Sequence, residues 1–279
     1  MHNENELLIR NALIRTMDSS DSVHEAVLVR DGRIAAVGAE GTVRSIGSPG
    51  VVEFDADGRT VVPGFIDAHN HLSDVALKSK SVDCGTPPLE TVDEVLSVVE
   101  RYCATLPAGR WVRGVGFHFL KVREQRGPTR WELDEVAPDN PLLIKDNSGH
   151  ASYVNSAALL ASGLDECTPN PWGGHIDRDS RGRLTGTLYE AATNWVNTDL
   201  MLDYARNDRI AVIELISAKA SEYLTLGITG IGDACVTPLI SELYSEAAEM
   251  KMLPLTVQQL HASDHYFSQQ TFRRGDVVD

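Results

Sequence analysis

From residue 61 onward, short apolar runs alternate with segments of helical period, and no other feature restricts the fold of this chain as strongly. Residues 61–67, 111–117, 141–144, 228–231 and 253–260 read as strands, the first of them short and buried. Helices fall between them. Thr91 and Glu94 form a capping box ahead of an apolar face of Val95, Val98, Val99 and Tyr102. Residues 155–164 make a short helix that ends near Gly163. Residues 210–226 place Ile213, Ile216, Ala220, Tyr223 and Leu224 on one face, and Gly227 stops the helix. Thr237 caps a further helix, with Pro238 at its first position and Leu239, Leu243 and Ala247 on one side. Strands and helices in alternation build parallel β/α units. Residues 173–188, rich in Gly, Asp and Arg, read as a hairpin insertion and not as core.

Residues 1–60 have a different character. Apolar runs at 7–9 and 12–14 flank a turn at Asn11. Runs at 26–29 and 34–37 flank Asp31-Gly32, the strongest short hairpin signal, because glycine tolerates the positive φ of a tight turn. Asp57-Gly58 repeats the device between 51–54 and 60–62. The expected organisation is a small β domain over 1–60 with little room for helix. A β/α region over 61–279 follows, with its hairpin insertion near 173–188.

The charge balance limits the partners. With 25 Lys and Arg against 40 Asp and Glu, the formal net charge is −15, so the surface repels phosphate backbones and anionic lipid. Neither nucleic acid nor membrane is an expected partner. The 4 cysteines are far apart and form no C-x-x-C pair, which argues against a disulfide framework or a zinc knuckle and for a reducing compartment. The first residues lack the apolar run of a signal peptide, and no segment has the 18 or so apolar residues of a membrane span. A cytoplasmic location is expected.

His69-Asn70-His71 carries the sharpest chemical signal. Residues i and i+2 of a strand point to the same face, so both imidazoles can reach one ion. Asn70 then points the other way, and Asp67 either orients a ligand or braces the strand end. An isolated H-x-H also suits two solvent-facing histidines. Asn147 and His150 follow the strand at 141–144 and can offer polar groups to a substrate; equally, Gly149 can make a turn and His150 cap the next helix. Glu190 can act as general base or metal ligand, or it can be a carboxylate favoured at a helix start. Lys145 ends a strand and could bridge metals once carbamylated, although a salt-bridged lysine is the commoner outcome. His118 is uninformative, His175 is expected in solvent, and His261 and His265 are expected to be exposed. No phosphate loop, dinucleotide fingerprint or nucleophile elbow occurs.

Taken together, these residues resemble the amidohydrolase superfamily, in particular its amidohydrolase-3, YtcJ-like branch. The shared stretches are Leu8 to Ala12, Val29 to Ile34 and Gly58 to Leu72. Those specific to the branch are Pro128-Thr129-Arg130 with Leu133-Asp134, Gly149-His150-Ala151 with Val154 to Leu159, and 173–179 with 185–190. The resemblance implies an α/β fold: an incomplete TIM-like (β/α) barrel preceded by a small β-sandwich-like domain. It implies one or two divalent metals, usually zinc, and water-driven hydrolysis of a non-peptide carbon–nitrogen bond in a small amide-like substrate. His69 and His71 match the first two metal ligands. Family members take a lysine, two histidines and an aspartate from later strands, and no stretch before Asp279 matches those motifs. The expected alternative is an inactive barrel fragment that acts by binding or assembly, as a homo-oligomer or with a completing C-terminal fragment.

Overall fold

The computed structural model describes residues 3–261. The chain divides into two compact units between Phe65 and Ile66.

The first unit contains β1 (Asn3–Arg10), β2 (Leu13–Arg15), β3 (Val23–His24), β4 (Ala26–Arg30), β5 (Arg33–Gly38), α1 (Glu40–Ile46), β6 (Val51–Asp55) and β7 (Thr60–Val61). One sheet runs β5-β4-β1-β6 and another β3-β2-β7. Asp31 and Gly32 adopt φ of 49° and 73°, and β4 and β5 pair antiparallel across them, as the Asp-Gly signal requires. The bends at Asn11 and Asp57 do something else. Both take positive φ, yet neither joins two strands of one sheet. β1 and β6 run parallel in the first sheet, and β2 and β7 run parallel in the second. The two bends lie side by side: Gly58 N donates to Asn11 O at 2.7 Å, and Asn11 Nδ2 donates to Asp55 Oδ1 at 2.7 Å. The two strands therefore turn together from one sheet into the other. The unit also holds a helix that sequence reading left out. α1 places Val43 against Leu8, Ala26 and Leu28, which form the small core.

The second unit continues from β8 (Phe65–Asn70) through α2 (Leu72–Ala76), β9 (Val82–Asp83), α3 (Val92–Cys103), β10 (Val112–Phe117), α4 (Arg130–Val136), β11 (Leu142–Asp146), β12 (Ala151–Val154) and α5 (Ser156–Ala161). It goes on with β13 (Gly174–Arg178), β14 (Leu184–Glu190), α6 (Ala191–Asn207), α7 (Arg209–Thr225), β15 (Ile228–Val236), α8 (Pro238–Glu249) and β16 (Thr256–His261). The strands form two sheets, β13-β14-β12-β11-β10-β9 and β16-β15-β8. β9, β10 and β11 are parallel, as are β15 and β16. β11 then takes β12 as an antiparallel neighbour.

Three expectations need correction. The segment at 173–188 is a hairpin, β13 pairing antiparallel with β14, but it belongs to the core. β13 and β14 extend the six-stranded sheet, and Ile176, Leu184 and Leu188 are buried in the largest core cluster. The first strand of the β/α region is not buried either. Phe65 is 59% and Ile66 76% exposed, because β15 covers one edge of β8 and no other described strand pairs with it. α6 was not anticipated: Asn194, Asn197, Thr198 and Asp199 interrupt any clean apolar stripe, so packing and not periodicity reveals it.

The helix starts follow local chemistry. The Thr91–Glu94 capping box is present in full, and Thr237 Oγ1 accepts from Ile240 N ahead of Pro238. A second box joins Thr129 and Glu132 at α4. Thr129→Ala is expected to lower stability by about 1 kcal/mol. Urea melts should show a lower midpoint at unchanged slope, and an unmoved midpoint would show that the box adds nothing.

Candidate functional site

β8 ends in His69-Asn70 and passes straight into α2 at His71. Asp67 secures this strand end. Its Oδ1 accepts from His69 N at 3.2 Å and its Oδ2 from Asn70 Nδ2 at 2.8 Å. These bonds, that of Asn70 foremost, hold the Asp67 carboxyl below the usual carboxylate range. Asn70 turns away from the histidines, and its Oδ1 accepts from Tyr223 OH of α7 at 3.3 Å.

The imidazoles of His69 and His71 converge. Their ring centres are 5.2 Å apart with planes at 88°. His71 Nδ1 donates to the carbonyl of Ala234, at the end of β15, at 3.2 Å. That bond places the proton on Nδ1 and leaves the Nε2 lone pair to face a ligand. Close approach of the two strands makes it possible. A Cβ at Gly232 would stand 2.6 Å from Ala68 O, so only glycine lets β15 lie this near β8.

A cavity of about 630 Å³ opens beside His71, walled by α6, by Cys235 and by the start of α8. A second, of about 510 Å³, is lined by Arg113, Asp146, Asn147 and Gly149. Asp74 and Lys145 line both. Residues 52–276 match the Amidohydrolase family model.

The chain belongs to that family.

The N-substituted formamide deformylase of Arthrobacter pascens is 53% identical over 274 residues, which cover 98% of this chain and 51% of that protein. YtcJ of Bacillus subtilis (strain 168) is 34% identical over 219 residues, covering 78% of this chain and 40% of YtcJ. A crystal structure of an uncharacterized metal-dependent hydrolase from Pyrococcus horikoshii OT3 superposes with a TM-score of 0.68 at 20% identity, over 92% of this chain and 48% of that one. That likeness shows a shared α/β fold. The chain spans about half the length of these relatives, or less.

Within this amidohydrolase-family chain the other candidate residues fall into two groups. His150 and Glu190 come together: His150 Nδ1 donates to the Glu190 carboxylate at 3.0 and 3.2 Å. Both are largely exposed. Glu190 ends β14 and caps α6 at φ 50°, ψ −123°, a conformation disfavoured for a side chain with a Cβ. No hydrogen bond among the described residues links this pair to His69 or His71. Asn147 lies apart again, lining the smaller cavity while its N donates to Phe117 O at 2.6 Å. Gly149 makes the turn, and Asn155, not His150, caps the helix that follows. Lys145 Nζ is 3.6 Å from Asp74 Oδ1, an ion pair. His175 is exposed as expected and stacks on Tyr189. His261 is half-buried in β16 instead of exposed, since β16 lies flat along β15. His265 lies outside the described residues.

Sequence reasoning missed two groups. The Arg113 guanidinium is 1% exposed, and its Nη2 donates to Asp74 Oδ1. Burial pulls the Asp74 carboxyl up, but Arg113 and Lys145 outweigh it and hold it below its ordinary range. The other is Asp233 in β15, which is 1% exposed and accepts from Tyr244 OH. Burial raises its carboxyl despite that bond and the facing His71. The available signal was a lone charge inside an apolar strand, Ile228 to Val236.

Proposed function

We propose that this chain is a metal-dependent hydrolase of non-peptide carbon–nitrogen bonds. Its substrate is a small neutral amide, and the name of the 53% identical relative points to an N-substituted formamide. One observation carries the reading: His69 and His71 converge at a strand end, with His71 Nδ1 tied off by Ala234. The geometry suits a shared ion. An imidazole about 2.1 Å from zinc through one nitrogen has its ring centre about 3.2 Å from the ion, so two at the tetrahedral angle have centres about 5.2 Å apart. The observed separation is 5.2 Å. Nitrogen donors favour zinc over calcium or magnesium. When bound, such an ion lowers the pKa of its water to about 7 and polarises a carbonyl oxygen.

The chain's own residues do the positioning. Asp67 holds the end of β8, and Ala234 holds the tautomer of His71. Glu190 fixes His150 with Nε2 outward, ready to bond a polar group of the substrate, and the Asn147 amide serves the smaller cavity. In this reading β8 to β11, β15 and β16 are strands of an incomplete TIM-like barrel, residues 1–60 are the sandwich-like domain before it, and the enzyme works in the cytoplasm. Zinc uptake tests the assignment. The purified chain is expected to take one equivalent from a chromophoric chelator, and the His69→Ala/His71→Ala double variant none, with unchanged melting. Equal uptake by both proteins would sink it.

A second reading has its own support. Among the described residues no three His, Cys, Asp or Glu side chains converge as a metal cluster, whereas catalytic zinc takes three protein ligands. This favours a chain that alone binds or assembles without turnover, as a homo-oligomer or with a completing polypeptide. Formate release from an N-alkylformamide by the zinc-loaded chain would exclude it.

A further inference from the structure

One stripe of α6 faces the cavity beside His71. Asn194, Asn197, Thr198, Met201 and Leu202 all line it. Their spacing of i, i+3, i+4, i+7 and i+8 puts them on a single helix face. The opposite face, with Val196, Leu200 and Tyr204, is buried in the core. The stripe is graded along the helix. Its first three residues are polar and its last two apolar, and Leu77 and Leu239 widen the apolar wall.

The charges around this cavity are already matched. Asp74 pairs with Lys145 at 3.6 Å, and Glu242 lies 3.9 Å from Arg209. Apart from His71, the described lining offers a charged ligand no side chain without an opposite charge within 4 Å. The carboxamides of Asn194 and Asn197, by contrast, have no hydrogen-bond partner among the described residues, so their donors and acceptors remain available. A volume of about 630 Å³ suits a small organic molecule.

We propose that this stripe selects the substrate. Asn194 and Asn197 bond the amide group of a neutral ligand, and Met201, Leu202 and Leu239 receive an apolar substituent on its nitrogen. The inference rests on the hydrolase reading above and adds the residues that choose among substrates.

Binding can be measured without turnover. Straight-chain N-alkylformamides from methyl to hexyl are titrated calorimetrically into the full chain without added metal. Each added methylene is expected to tighten binding about fourfold until the wall is covered. Leu202→Asp should abolish this gain. Met201→Gln, which keeps length and volume if the aspartate variant fails to fold, should cut it to about twofold. Asn197→Ala should weaken every member of the series by a similar factor and leave the dependence on chain length intact. A flat series in the parent chain overturns the proposal, as does a Met201→Gln series as steep as the parent's. Formate release is assayed separately with zinc. A steep binding series without hydrolysis would remove the hydrolase reading while upholding the selecting wall.

Discussion

Replacing Asn155 with alanine is expected to remove most of the folding stability of the β/α unit. The side chain is fully buried and makes four hydrogen bonds to backbone. Its Oδ1 accepts from Leu142 N at 3.0 Å and from Ala158 N at 2.9 Å. Its Nδ2 donates to Ala137 O at 2.8 Å and Asn140 O at 2.9 Å. One carboxamide thus ties the start of β11, the cap of α5 and the end of α4 together. Alanine leaves two N–H and two C=O groups buried without partners. Each such group costs about 1–3 kcal/mol, and after relaxation the sum is about 4–6 kcal/mol. A typical domain has about 5–15 kcal/mol in all. Urea unfolding of the variant should begin near zero denaturant, and a midpoint within about 0.3 M of the parent would refute the argument.

Asn155→Asp separates hydrogen bonding from shape. The ionised carboxylate would face the carbonyls of Ala137 and Asn140, so the folded state favours the protonated acid and its pKa rises. A carboxyl raised on folding gives its stability at low pH and loses it as pH climbs from the unfolded value, about 4, through the folded one. The aspartate variant should therefore be more stable at pH 4.5 than at pH 7.5. An alanine variant lacks this dependence.

Gly232→Ala is the second large effect. Its Cβ would lie 2.6 Å from Ala68 O and 3.2 Å from Ala68 C, which are backbone atoms with no rotamer to escape into. β8 and β15 must separate, and the Ala234 carbonyl then withdraws from His71 Nδ1. Overpacking of this kind costs about 1–3 kcal/mol. On the proposed role of His71 as a metal ligand, zinc affinity should fall by about tenfold or more, the scale seen when a metal-bound histidine loses its outer partner. Gly230→Ala is the control two residues away, since its Cβ would meet nothing closer than 3.6 Å. If both variants melt and bind zinc alike, the close approach of the strands does not hold His71.

The amino-acid sequence by itself determined the features that depend on neighbours a few residues apart. Asp31-Gly32 forms its hairpin because aspartate and glycine tolerate the turn's positive φ. Thr91 with Glu94, and Thr237 with Pro238, start helices because side chains reach backbone donors three residues on. The two-residue period of a strand marks His69 and His71 as a pair, but only His69 lies in β8; His71 is the cap of α2, and the helix start helps to set their 5.2 Å ring separation. The tertiary structure alone decided what meets them from afar. The carbonyl that orients His71 lies 163 residues away, and Arg113 reaches Asp74 across 39. The joint bend of β1 and β6 and the burial of β13 and β14 likewise arise from strand register and shared apolar burial. Those terms sum over distant contacts, and no local periodicity encodes them.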